Sequence, residues 1–339
     1  MRRPSQRDIA RRANVSQTAV SLVLNGKAAE HSISATTEAR IRQAMAELSY
    51  VPDAAARSLR GGRSDLIGVH TFEPVFPVGP DDYFHEFLVG IEERAVELGR
   101  DLVLFASTQR PDGRRSIYGN GSNRLRLADG TVVIGLDRDD DELRRLSAEQ
   151  YPFVVLGRRD SLPGVASVGV DYVSGVTRVV GMLAAAGHRE IAYLRGVKHE
   201  TPQRDRRTAY TEALSSLGAT PRWYDITRLG RDQGPARWRA DGATAVLVEA
   251  AEDAAAVQAR ADAVGVALPA QLSVVCLDGV SDPTATHWSQ LRIPKRAVGA
   301  RTLSVLADIL DGRLPADHQE LHPCEERVVP TTISAPPGD

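Results

Sequence analysis

The sequence predicts a small all-α head joined to an α/β body of two parallel-sheet lobes. Three observations carry this reading. Between residues 5 and 48, apolar side chains recur three and four positions apart, the period of short amphipathic helices. From residue 66 the pattern changes to short apolar, β-rich runs separated by helical stretches, as expected of parallel sheets covered by helices. Charge divides at the same place. Residues 1–64 hold eleven Lys or Arg and five Asp or Glu, a net +6, so the remainder carries −8 within an overall charge of −2. A basic head on an acidic body implies a polyanionic partner for the head alone.

Within the head, SQRDIARRANVSQTAVSLVLNG (residues 5–26) reads as two short helices joined by a tight turn. Ser5 and Asp8 form an S-x-x-D capping box, and Ile9, Ala10 and Ala13 give a helix over about 6–13 one apolar face. Asn14-Val15-Ser16 is the turn. Ser16 caps a second helix over about 17–24, which Asn25-Gly26 ends. Val20, Val23 and Leu24 share its buried face. Gln17, Thr18 and Ser21 fall on the opposite face near the helix start, where a helix-turn-helix protein touches base edges in the major groove. A third helix, capped by Ser34, carries Ile41, Ala44, Met45 and Leu48 as the stripe that closes a three-helix core. Tyr50-Val51-Pro52 breaks it. PDAAARSLRGG then supplies a helix-forming segment too short to be stable alone, expected to order only with a partner.

At 339 residues, two or three domains are expected. With 42% apolar and 25% charged residues the composition is that of a soluble globular protein. Apolar runs are strand-length, which argues against a membrane span, and the basic, helical N-terminus does not read as a secretion leader, so the expected location is cytoplasmic. Cys276 and Cys324 lack metal-ligand or disulfide-scaffold spacing, and the eight histidines are scattered, so no metal or cofactor is expected. The sequence contains no nucleophile elbow, P-loop or HExxH motif, and Gly-Asn-Gly at 119–121 lacks the dinucleotide-binding pattern. A sugar- or nucleoside-metabolising enzyme, or a stand-alone binding protein on the same body, is the alternative to a DNA-binding regulator.

DIARRANVSQTAVSLVLNG, ISATTEARIRQAMAELSYVPDAAARSLR and the strand DLIGV, in that order and spacing, resemble the LacI/GalR family of bacterial transcription regulators. The resemblance is specific from Arg7 to Gly68 and looser beyond. It implies a DNA-binding domain at 1–51, a hinge helix and linker at 52–64, and an effector-binding and dimerisation body at 65–339. It also implies a hinge helix that pairs with its twin in the minor groove of a palindromic operator. There Leu59 matches the wedging leucine, with Arg57 and Arg60 beside it for phosphate contacts. A plain linker with Leu59 packed inward is the alternative. Leu22 stands where the family usually carries Arg, which removes a bidentate guanine contact and leaves an apolar contact to a thymine methyl. Asp53 stands where the family usually carries Asn.

In the body, apolar runs at 66–70, 102–105, 131–134, 153–156, 191–194, 245–248 and 273–277 alternate with helical stretches at 84–98, 141–147, 174–186, 209–217 and 252–264. A break near 160–165 divides them into two lobes. The resemblance implies a periplasmic-binding-protein-like body, with lobe one at about 65–162 and 293–333 and lobe two at about 163–292. Ligands in such sheets bind beyond the carboxyl ends of strands, which directs attention to Phe72, Arg158 and Asp278. By residue matching, Arg158, Arg206 and Asp278 fall where the family places charged contacts to effector hydroxyls; solvated loop charge or an interlobe salt bridge is the alternative. Asp171 also matches a family position, with a contact or a structural role open. Ala250-Ala251 replaces the family's usual Asn-Asp, and Trp288 is a candidate stacking face or a core residue. Phe84, Phe87, Leu88, Ile91 and Ala95 lie at helical spacing, to pack on the sheet or at a subunit interface. The expected partners are a double-stranded operator, a carbohydrate or nucleoside-like effector acting as inducer or corepressor, and a second copy of the chain.

Overall fold

The structure is a computed structural model that describes residues 4–24, 26–50, 63–73, 76, 79, 82–107, 109–110, 113–119, 121–135, 139–159, 161–250, 253–279, 288–327, 333 and 335–336. The chain divides into two units, Met1–Asp65 and Leu66–Asp339. The hinge residues Arg57, Leu59 and Arg60, together with Asn25, lie outside the described residues.

The first unit holds α1 (Gln6–Ala13), α2 (Gln17–Leu24) and α3 (Ala35–Glu47). Asp8 accepts hydrogen bonds from the Ser5 backbone N–H at 2.9 Å and from Ser5 Oγ at 2.6 Å, fixing the start of α1. Asn14 takes a left-handed conformation (φ 50°), which ends α1 and turns the chain into α2. Arg40 on α3 donates to the Ala13 and Asn14 carbonyls at 3.0 and 3.3 Å, tying that turn to the third helix. Ile9, Ala10, Ala13, Val20, Val23, Ala28, Ile41 and Ala44 form the small core.

The second unit contains two six-stranded sheets. The first runs in the order β11-β5-β4-β3-β1-β2, all parallel, from β1 (Leu66–Thr71), β2 (Asp101–Leu104), β3 (Gly130–Ile134), β4 (Phe153–Leu156), β5 (Ser167–Asp171) and β11 (Gln319–Pro323). The second runs β12-β10-β9-β8-β6-β7. It is built from β6 (Ile191–Arg195), β7 (Arg222–Asp225), β8 (Ala245–Val248), β9 (Ser273–Cys276), β10 (Ser289–Arg292) and β12 (Glu325–Arg327), with only β12 antiparallel. The helices are α4 (His85–Glu97), α5 (Asp140–Ala148), α6 (Tyr172–Ala185), α7 (Thr201–Ser216), α8 (Pro235–Ala240), α9 (Ala254–Ala263) and α10 (Lys295–Leu310).

The crossover between lobes falls later than the sequence suggested. Ser167–Asp171, expected in lobe two, pairs with β4 and β11 in the first sheet. The chain therefore changes sheets after Asp171. It returns after Arg292 through α10 and β11, and its last strand, β12, pairs back in the second sheet. Phe84, Phe87, Ile91 and Ala95 pack inward in lobe one. There α4 lies directly on α10, because Gly90 and Gly299 leave no side chain between the helices. A Cβ on Gly90 would run into the Arg296 carbonyl, and one on Gly299 into that of Phe87. No described helix is long and apolar enough to cross a membrane.

Candidate functional site

Two surfaces carry candidate chemistry, one in each unit. On the head, Ser16 and Thr18 are exposed, and Gln17, Ser21 and Leu22 are half-buried, along one side of α2. Ser16 Oγ accepts the Ala19 N–H at 3.1 Å, so this serine caps the helix as its position predicts. Ser5 works differently at α1: its Oγ and its backbone N–H both donate to the Asp8 carboxylate. Gln17 Oε1 accepts from Arg7 Nε at 3.4 Å, and Arg7, Arg11, Arg12 and Lys27 are exposed cations on the same unit. Small polar side chains on a short helix flanked by cations are suited to base edges and phosphates.

In the body the candidate site is the cleft where both lobes meet. Both sheets share one strand order, so each has a switch point between its first and third strands, where an α/β crevice receives ligands. Gly196 and Glu249 follow β6 and β8 at the second switch point. Glu249 is buried. Its carboxylate accepts from Tyr193 Oη at 2.9 Å, Gly196 N at 2.7 Å and Arg207 at 2.7 Å. Arg207 also donates to the Lys198 carbonyl at 2.9 Å, which holds down the loop at the cleft rim.

Beside this pair lies Arg206, 2% exposed, which donates to the Glu249 carbonyl at 3.0 Å and sits 4.7 Å over the Tyr172 ring. Burial pushes its guanidinium down, but the charge of Asp278 and the neighbouring tyrosines outweigh burial and hold it above its ordinary value. Its Nε finds no hydrogen-bond partner among the described residues. Asp278 is also buried, and its carboxylate accepts the Gly279 N–H at 2.8 Å.

Lobe one lines the cleft with Tyr83, Phe84 and Phe87. Tyr83 and Tyr172 share a hydroxyl–hydroxyl bond of 2.9 Å across the lobes. Burial raises the Tyr172 hydroxyl to about 12 and lifts that of Tyr83 well above its ordinary value, so both stay protonated near neutrality. One hydrogen of the pair remains for another acceptor. Arg158, after β4, reaches across to Asp205 on α7 with an ion pair of 2.6 Å. These residues border a cavity of about 540 Å³ counting its open mouth, in which water-sized spheres can be centred in about 50 Å³. That is room for a few waters, so a sugar-sized ligand requires the lobes to part.

The structure places Arg158 on the cavity wall; Arg206 and Asp278 are not among its lining residues but lie behind Tyr83 and Tyr172, which are. Phe72 is elsewhere: it is 2% exposed in the outer core of lobe one, edge-on to His70 at 4.8 Å, and does not line the cavity. Trp288 is corrected to a core residue, 3% exposed, with its indole N–H on Gln258 Oε1 at 3.3 Å, because just before β10 it joins the core cluster that holds Val257, Val274 and Cys276. Asp171 accepts the Ser174 N–H at 2.9 Å and caps α6. Sequence reasoning missed Tyr83, Tyr172, Asp205 and Glu249. Glu249 was the findable one, since it directly follows a recognised strand.

The profile described as "Bacterial regulatory proteins, lacI family" matches residues 6–53, and that of a "Periplasmic binding protein-like domain" matches residues 180–331. The HTH-type transcriptional regulator CelR of Thermobifida fusca is 27% identical over 331 residues, covering 92% of this chain and 93% of that protein. The chain belongs to the LacI family. The sucrose operon repressor of Klebsiella pneumoniae is 31% identical over 224 residues, 66% of this chain and 65% of that protein. Among solved structures, the Lac repressor dimer bound to operator and the anti-inducer ONPF aligns with a TM-score of 0.73 at 23% identity, covering 98% of this chain and all of that one. A CelR–cellobiose complex aligns at 0.61 and 22% identity, over 96% and 99%. These likenesses establish the fold of this LacI-family transcriptional regulator: a helical DNA-binding region and two parallel-sheet-rich lobes.

Proposed function

We propose that this LacI-family regulator is a repressor that binds a palindromic operator as a homodimer, under the control of a carbohydrate or carbohydrate-like molecule in the interlobe cleft. The observation that carries the effector reading is Arg206, buried beside Asp278, with an Nε that has no hydrogen-bond partner among the described residues. A fixed donor beside a fixed acceptor fits vicinal hydroxyls. The names of the sucrose operon repressor and of the CelR–cellobiose complex support a sugar. On the head, Gln17, Thr18, Ser21 and Leu22 read bases. Arg57, Leu59 and Arg60, outside the described residues, act in the minor groove, and work on the chromosome places the protein in the cytoplasm. Effector binding shifts the lobes, and segment 52–64 carries the change to the head with a coupling on the order of 1–3 kcal/mol.

The test is a gel shift on palindromic DNA across a salt series, with sedimentation alongside and sugars screened by thermal shift. A dimer is expected, with affinity falling steeply as salt rises because several Lys and Arg contacts release counterions. Asp278→Ala should abolish the response to any stabilising sugar while DNA affinity stays at the wild-type value. A monomer with salt-insensitive binding sinks the repressor reading, and turnover of a sugar or nucleoside by the pure protein favours an enzyme.

A further inference from the structure

We infer that the second lobe carries an oxyanion site outside the cleft, between the loop at 228–234, the start of α8 and the face of α9, built to hold a phosphate group. The inference does not depend on the proposed operator or effector. The cavity there admits water-sized spheres over about 170 Å³, against about 50 Å³ in the cleft. Its lining is rich in donors and poor in acceptors. Arg231, Arg237 and Arg260 border it, with Asp232 as its one carboxylate. Asp232 is already engaged by both Nε and an NH2 of Arg228, and Arg237 is paired with Asp241 at 3.0 Å. Arg231 and Arg260 have no ion-pair or side-chain hydrogen-bond partner among the described residues.

Gln233 adds to this excess of donors. Its Oε1 accepts the Asp225 N–H at 2.8 Å, which fixes the amide orientation and leaves its NH2 unengaged among the described residues. The loop is closed by the Gly230 N–H on the Gln233 carbonyl at 2.9 Å. Its glycines let the backbone lie close along Arg260: a Cβ at Gly234 would stand 3.6 Å from Arg260 Cγ, and one at Gly230 3.8 Å from Nε. The guanidinium of Arg260 is therefore held half-buried against a backbone, with no ion pair among the described residues. A planar guanidinium fork matches phosphate oxygens in pairs, and two free forks with an amide suit one tetrahedral oxyanion. The phosphate belongs either to free inorganic phosphate or to a phosphorylated small molecule.

Calorimetric titration of the full chain with inorganic phosphate, and separately with a hexose 6-phosphate, tests the site against sodium chloride at matched ionic strength. Saturable binding is expected for at least one, and the tighter of the two identifies the source. The Arg231→Ala, Arg260→Ala double variant should weaken it by about tenfold or more. The corresponding double lysine variant, which keeps the charge and loses the fork, should fall between. An unchanged melting temperature without phosphate shows that the variants fold. If chloride reproduces the heat, or if the double alanine variant binds phosphate as the wild type does, the site is not there.

Discussion

Lobe one and lobe two repeat the same strand order, yet they bring opposite chemistry to the cleft between them. The first offers aromatic rings, Tyr83, Phe84 and Phe87, and Arg158 reaches out from it to an ion pair across the gap. The second offers buried charges in pairs: Arg207 with Glu249, and Arg206 beside Asp278. A shared sheet fixes where strand ends point, but the residues after those ends are free to differ. The lobes also treat buried ionisable groups differently inside their sheets. His70 in β1 is fully buried, and neither ring nitrogen has a partner among the described residues. Burial, with the charge of Arg115 adding, pulls it down to about 4, so it is neutral. Glu249 in lobe two instead accepts four hydrogen bonds, two of them from the Arg207 guanidinium.

The comparison can be broken most directly at Glu249. Glu249→Ala leaves Arg207 largely buried without its counter-charge, and a loss of about 3–5 kcal/mol in denaturant unfolding is expected. A loss below 1 kcal/mol would mean that lobe two does not depend on its buried charges.

His70 gives the next largest effect, through pH. Its folded value lies below the unfolded 6.5, so the unfolded chain binds a proton over the interval in which the folded chain does not. Stability from this group is complete above pH 6.5 and lost as pH falls toward 4, by roughly 3 kcal/mol. His70→Gln should flatten that part of the stability profile. If the slope between pH 6.5 and 4 is the same in the variant, His70 is not its source.

The smallest effect on stability is expected at the ion pair that joins the lobes. Arg158 is partly exposed, and Asp205→Asn should cost roughly 1 kcal/mol or less. Energy transfer between labels on the two lobes should nevertheless show a wider distance distribution. An unaltered distribution would show that the lobes are held by apolar contact alone.

Much of this was legible beforehand, for physical reasons that also explain the gaps. The head helices were visible because capping serines and a 3.6-residue apolar repeat are local signals. The central strands were visible because a strand buried on both faces must be apolar throughout. Strands β5, β7, β10, β11 and β12 were missed: in SVGVD a serine, a glycine and an aspartate break the apolar run, and RWYD, SQLR, QELHP and EER have none; β7, β11 and β12 lie at sheet edges, where one flank is unpaired. Trp288 shows the opposite failure: its aromatic character suggested a ligand face, and burial made it core.

Residue order alone determined the helical head, the change to strand–helix alternation at residue 66, and the charge division between them, since each depends on near neighbours in the chain. Only the folded arrangement decided that Ser167–Asp171 belongs to the first sheet and that Arg158 meets Asp205. It also decided that Tyr83 meets Tyr172 and that Glu249 locks Arg207 beside Arg206. Those partners are separated by 42 to 89 positions, and contacts over such distances are set by how two sheets pack, which no local spacing encodes.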